Sequence, residues 1–148
     1  MPTISMNQDD LRSDFLKLGY HEVDAEGLDA WAAGHEHAVM LPLENPARYP
    51  ELADIAVILP EILRQFASGA FAVAFGSPQS TAALSERFAV HRHPALIFFR
   101  RGQYIGTLTG LHDWTGYLRE FARLREQALQ AAAQATNAEA DAAQELYS

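Results

Sequence analysis

The chain has 148 residues and a mass of 16.4 kDa, one domain's worth, with room for a hydrophobic core and no need of covalent staples. It contains no cysteine, which excludes disulfides, thiol catalysis and cysteine-ligated zinc or iron–sulfur centres. A net charge of −8 argues against nucleic acid as a partner, and no apolar run reaches the ~18 residues of a membrane span.

Leu11, Phe15 and Leu18 fall at helical spacing among Asp9, Asp10 and Asp14, so residues 8–18 are predicted as a helix that Gly19 stops. The acids at this end, where a secretory signal carries cations, lead us to expect a cytoplasmic protein. His21–Val23 suits a short strand. Asp24 reads as the N-cap of a helix through Leu28, Trp31 and Ala32, with Gly34 at its C′ position. Ala38–Leu43 is a buried strand in which Pro42 suits the end better than the centre. Glu44–Pro50 (ENPARYP) is turn chemistry.

Leu52, Ile55, Ile58, Leu59, Ile62, Leu63 and Phe66 then mark a helix interrupted by Pro60. An unsupported interior proline costs ~3 kcal/mol. Phe71–Phe75 is a central strand and Ser80–Phe88 a short helix. Ala95–Phe99 and Tyr104–Leu108 are two strands joined by the turn at residues 100–103. Trp114–Leu129 is the last amphipathic helix, with Tyr117, Leu118, Phe121 and Leu124 inward and Trp31 and Trp114 as core anchors. Residues 1–126 are expected to form the domain. Residues 127–148, rich in alanine and glutamine, have too little apolar bulk to pack and are expected as a frayed helix or a disordered tail. The order of elements gives an α/β fold with a mixed central sheet covered by helices on both faces.

Charge is uneven along the chain: −9 over residues 1–61, +4 over 62–126 and −3 over 127–148. The first half therefore offers a negative field for a cationic partner, unless it is only a solvated face.

The segment Phe88–Gly110, FAVHRHPALIFFRRGQYIGTLTG, has an apolar residue, three further residues and a proline, then a buried strand, a glycine turn and a strand ending in glycine. In this layout the chain resembles the thioredoxins. The resemblance implies a thioredoxin-like α/β fold with a mixed central sheet of four to five strands flanked by helices. It also implies a cis peptide at His93–Pro94, and it makes Pro60 the kink proline of the active-site helix. The two cysteines of such proteins would then fall at Leu52 and Ile55, so the motif is Leu52-Ala53-Asp54-Ile55 and thiol–disulfide exchange is lost.

A narrower pattern is carried by Phe88, Val90, Arg92, Pro94, Ala95, Leu96, Phe98, Gly102, Tyr104, Gly106, Leu108, Gly110, His112 and Trp114. In it the chain is similar to the HyaE/HupG/HoxO family of accessory proteins for nickel–iron hydrogenase maturation. The similarity implies a chaperone, not an enzyme, with no cofactor. Its implied partner is the hydrogenase small subunit precursor, recognised through its twin-arginine signal peptide before export. Other hydrogenase accessory proteins are further implied partners; nucleic acid and membrane insertion are not.

A receptor for two guanidiniums and an apolar stretch should combine carboxylates with an apolar groove. The peptide site expected from this resemblance has Leu52, Ile55, His93 and Pro94 as its floor and Glu44, Glu51 and Asp54 as its rim, with strand addition beside the proline. Glu51 and Asp54 equally suit the dipole of a helix N-terminus. His35-Glu36-His37 and His91-Arg92-His93 are His-x-His pairs, better read as surface or capping histidines than as metal ligands. Arg100-Arg101 lies too deep in the chain to be an export signal, and no nucleophile motif surrounds Ser77 or Ser80. The competing readings are a dimerisation or scaffold module and a histidine- or metal-dependent activity on the same fold.

Overall fold

A computed structural model describes residues 7–67 and 69–146, with side chains as far as residue 134. Residues 1–6 of the expected domain and 147–148 of the expected tail lie outside the described residues. Helix α1 (Gln8–Lys17) starts on a capping box in which Asn7 Oδ1 accepts from the Asp10 N–H at 2.8 Å. Strand β1 is His21–Val23. Helix α2 (Leu28–Ala33) begins later than expected, because Asp24 caps a turn instead, its Oδ1 accepting from the Gly27 N–H at 2.6 Å. Gly34 is the right-handed C-cap of α2, with φ −78°, so it is not the left-handed C′ residue predicted.

Strand β2 (His37–Pro42) is buried along its whole length. Its last pair with β4 is Met40–Ile97, so Pro42 sits beyond that ladder, where a missing N–H is tolerated. Helix α3 (Glu51–Leu63) contains Pro60, and strand β3 runs Ala72–Gly76. A 3₁₀ turn at Pro78–Ser80 leads into α4 (Thr81–Arg87). Strands β4 (Ala95–Arg100) and β5 (Gln103–Thr109) form a hairpin. Its two turn residues, Arg101 and Gly102, both have positive φ, the geometry that matches the twist of a two-residue hairpin. A Cβ on Gly102 would stand 3.2 Å from Ala33, so this turn also needs glycine for space.

Helix α5 runs Trp114–Leu146, through the alanine-rich segment. No described helix is long and apolar enough to cross a membrane.

The sheet has five strands in the order β1-β3-β2-β4-β5, with β1, β3 and β2 parallel and β4 and β5 antiparallel to their neighbours. Alternate strand residues divide between its two faces. Val39, Leu41, Leu96 and Phe98 pack with α1, α3 and α5, whereas Ala38, Met40, Ile97 and Phe99 pack with α2 and α4. The expected mixed sheet flanked by helices is what forms.

Candidate functional site

The loop between β2 and α3 folds back on itself. The Asn45 carbonyl accepts from the N–H groups of Arg48 (3.0 Å) and Tyr49 (2.9 Å), and Asn45 Oδ1 accepts from the Ala47 N–H at 3.0 Å. This fold places the Tyr49 ring 4.9 Å from the His93 ring, with the Arg48 guanidinium over Tyr49. The His93–Pro94 peptide is cis and both residues are buried.

Gly110, just after β5, bonds to the segment that carries the cis peptide. Its N–H donates to the Pro94 carbonyl at 2.8 Å, and the Tyr117 hydroxyl donates to the Gly110 carbonyl at 3.3 Å. Glycine suits the position, since φ is +76°, a conformation that side chains strain, and a Cβ would stand 2.9 Å from Arg92 Nε.

His93 Nε2 lies 3.6 Å from Glu44 Oε1, too far for a hydrogen bond, and Nδ1 is buried without a partner among the described residues. Burial pushes the imidazole below its ordinary range, and Arg48 adds to this against the opposing pull of Glu44. A neutral His93 leaves the half-buried Glu44 carboxylate without a counter-ion. Glu51 and Asp54 occupy the first turn of α3, both exposed, and neither joins an ion pair among the described residues. Glu44, Glu51 and Asp54 therefore stand near Pro94 without a lysine or arginine partner among the described residues, Glu51 and Asp54 being favoured by the helix N-terminus.

The apolar floor is placed differently from the expectation. Leu52 and Ile55 are each 0% exposed and belong to the core beneath the sheet, so neither presents surface to a ligand. His93 and Pro94 are buried as well. Exposed apolar surface comes instead from Val57, Leu111 and Trp114. Val57 stands one turn along α3 from Asp54, on the same face. Leu111 follows Gly110, and Trp114 opens α5 one turn before Tyr117, whose ionisation is opposed chiefly by burial and to a lesser degree by the Asp54 charge. Trp114 is 44% exposed and is not the core anchor predicted; Trp31 is half-buried, against His21 and His35.

Sequence reasoning therefore missed Tyr49, Val57, Leu111 and Trp114 as members of this end of the fold. The signals for them were present: an aromatic between two prolines, and a tryptophan at the first helical position, where no earlier turn covers it. The histidine pairs separate: His91 is exposed and His93 buried, while His35 is half-buried and His37 buried. Among the described residues, no three of His, Asp and Glu gather as metal ligands.

Burial holds His37, like His93, below the ordinary imidazole range. As pH falls through about 6.5 the unfolded chain takes up protons that the folded chain refuses, so stability falls. The urea midpoint is expected to be lower at pH ~5.5 than at pH ~7.5, with the difference reduced in a His37→Gln, His93→Gln double variant. Equal wild-type midpoints would show that these imidazoles are not buried in neutral form.

Residues 11–117 match the family described as "Hydrogenase-1 expression protein HyaE". A hydrogenase expression/formation protein HoxO of Cupriavidus necator is 38% identical over 102 residues, 68% of this chain and 63% of that protein. A hydrogenase expression/formation protein HupG of Bradyrhizobium diazoefficiens is 32% identical over 117 residues, 76% of this chain and 78% of that one. Among solved structures, a mutant thioredoxin of Halobacterium salinarum NRC-1 aligns with a TM-score of 0.52 at 17% identity. It covers 67% of this chain and 84% of that one, a likeness of fold alone.

Proposed function

The chain belongs to the hydrogenase-1 expression protein HyaE family, and from that premise we propose that it is a non-catalytic, cytoplasmic chaperone of nickel–iron hydrogenase maturation. In this reading it binds the hydrogenase small subunit precursor through the twin-arginine signal peptide, before export. The reading is supported by Glu51 and Asp54 in the first turn of α3, which join no ion pair among the described residues, by exposed Val57 one turn along the same helix, and by exposed Leu111 and Trp114 in the segment after Gly110, whose N–H donates to the Pro94 carbonyl. Two guanidiniums followed by an apolar stretch complement that surface. A thiol reaction has no nucleophile here, since the chain has no cysteine.

Exposed ion pairs contribute ~0–1 kcal/mol each, so the carboxylates supply register and salt dependence. Affinity must come chiefly from apolar burial, at about 25 cal/mol per Å².

Calorimetric titration with a twin-arginine peptide tests the reading. Saturable binding that weakens with salt is expected, and a twin-lysine peptide should bind more weakly because lysine lacks the planar fork. The Glu51→Lys, Asp54→Lys double variant should bind up to about tenfold more weakly and lose most of its salt dependence. Trp114→Ala should cost about tenfold or more while leaving folding intact. If all these combinations bind alike, this surface is not a receptor for the signal.

A further inference from the structure

At the end of the sheet opposite Pro94, β2 begins at His37 and pairs it with Arg100, the last residue of β4. Arg101 follows in the turn, its N–H donating to the carbonyls of His35 and Glu36 at 3.1 Å. Helix α5 lays Arg125 and Leu129 over this edge, leaving a cleft of about 430 Å³ walled also by His35, Glu36, His37 and Phe71. That volume is within the range that small ligands occupy.

The lining holds one carboxylate and one guanidinium, and of the two it is the guanidinium of Arg125 that joins no ion pair among the described residues. Glu36 is the sole carboxylate among the described lining residues, and Arg100 Nη2 already engages it at 3.2 Å. Arg125 joins no ion pair among the described residues, and its Nε–H is buried without an acceptor, as is that of Arg100. A guanidinium cannot release its proton near neutrality, so these donors stay charged and unsatisfied. Burial, joined by the fields of Arg100, Arg125 and Arg101, holds His37 below its ordinary range despite Glu36. Three cations thus converge on one imidazole beside an open cleft. An apolar wall, Phe71 and Leu129, faces them.

We propose that this cleft is a carboxylate-binding site for an apolar organic acid, either free or as the C-terminus of a protein chain. The carboxylate meets Arg125 and His37, and the apolar body lies on Phe71 and Leu129. Arg100, directly opposite His37 in the ladder, strengthens the field from behind. A planar carboxylate suits a guanidinium, while Glu36 at the rim disfavours a dianion such as phosphate. The inference concerns the opposite end of the sheet from the peptide surface and does not depend on it.

Amide NMR spectra of the full chain, titrated with benzoate, benzamide and a short apolar peptide with free or amidated C-terminus, test the proposal. Benzoate is expected to give saturable shifts at His37, Phe71 and Arg101, and benzamide none. Arg125→Gln should weaken benzoate about tenfold or more. Leu129→Glu, which sets a second acid at the cleft from a half-exposed position, should do the same and covers a failure of Arg125→Gln to fold. A free-ended peptide that binds more tightly than benzoate assigns the site to a chain terminus; one that binds more weakly assigns it to a free acid. Absence of shifts, equal shifts with benzamide, or unchanged benzoate affinity in the folded variants overturns the assignment.

Discussion

Ile55→Asp is expected to lower stability by about 4–5 kcal/mol or more, whereas Val57→Asp, two residues along the same helix, is expected to leave it nearly unchanged. Ile55 is 0% exposed within the core formed by α1, α3, α5 and one face of the sheet. An aspartate there must either bury an unpaired charge or take up a proton and bury unsatisfied oxygens, and it also forfeits the apolar contacts of isoleucine. The combined cost is about 4–5 kcal/mol or more, against a total stability of about 5–15 kcal/mol for a domain. Val57 is 72% exposed, and a polar substitution there stays within about 0.5 kcal/mol. Urea denaturation followed by circular dichroism checks both. A cooperative transition of wild-type midpoint in Ile55→Asp would mean that this face of α3 is not packed as described.

Phe121→Ala is expected to lower stability by about 3–5 kcal/mol, the usual cost of deleting a fully buried phenylalanine. Phe121 has no exposure, and its ring meets Phe98 edge-on at 4.9 Å, Phe71 at 5.7 Å and Phe66 at 6.1 Å. Edge-to-face pairs add about 0.5–1.5 kcal/mol each beyond area burial, which puts the loss at the upper end of that range. The four rings fasten α5 to the sheet and to the end of α3, so the denaturant midpoint should fall sharply with little change in slope. Trp114→Ala, at a half-exposed position in the first turn of the same helix, should lower the midpoint much less. A loss below about 1 kcal/mol for Phe121→Ala would refute the packing of α5 on the sheet.

The fold was largely legible because its signals are local. The bounds of β1 agree to the residue, and those of α1, α3, β4 and β5 to within three residues, since apolar spacing and glycine or proline punctuation act within a few residues of chain. The start of α2 was misjudged because Asp24 can cap a turn as readily as a helix. The candidate site was half legible. Glu44 stands 3.6 Å from His93, next to Pro94, but Leu52 and Ile55 are buried in the core, and the exposed apolar residues were not foreseen.

By itself the sequence determined the α/β class, through periodicity, and the loss of thiol chemistry, through the absence of cysteine. Tertiary structure alone decided which apolar face is covered. Helical spacing fixes which residues share a face, but a neighbouring element must arrive to bury it, and among the described residues none covers Val57, and Trp114 is covered only in part. It also decided the field. The acidic first half does not act as one block of charge, because the fold carries two of its acids to arginines of the second half: Asp29 to Arg87 at 2.6 Å and Glu36 to Arg100 at 3.2 Å. Coulomb energy depends on separation in space, and no count along the chain contains that distance.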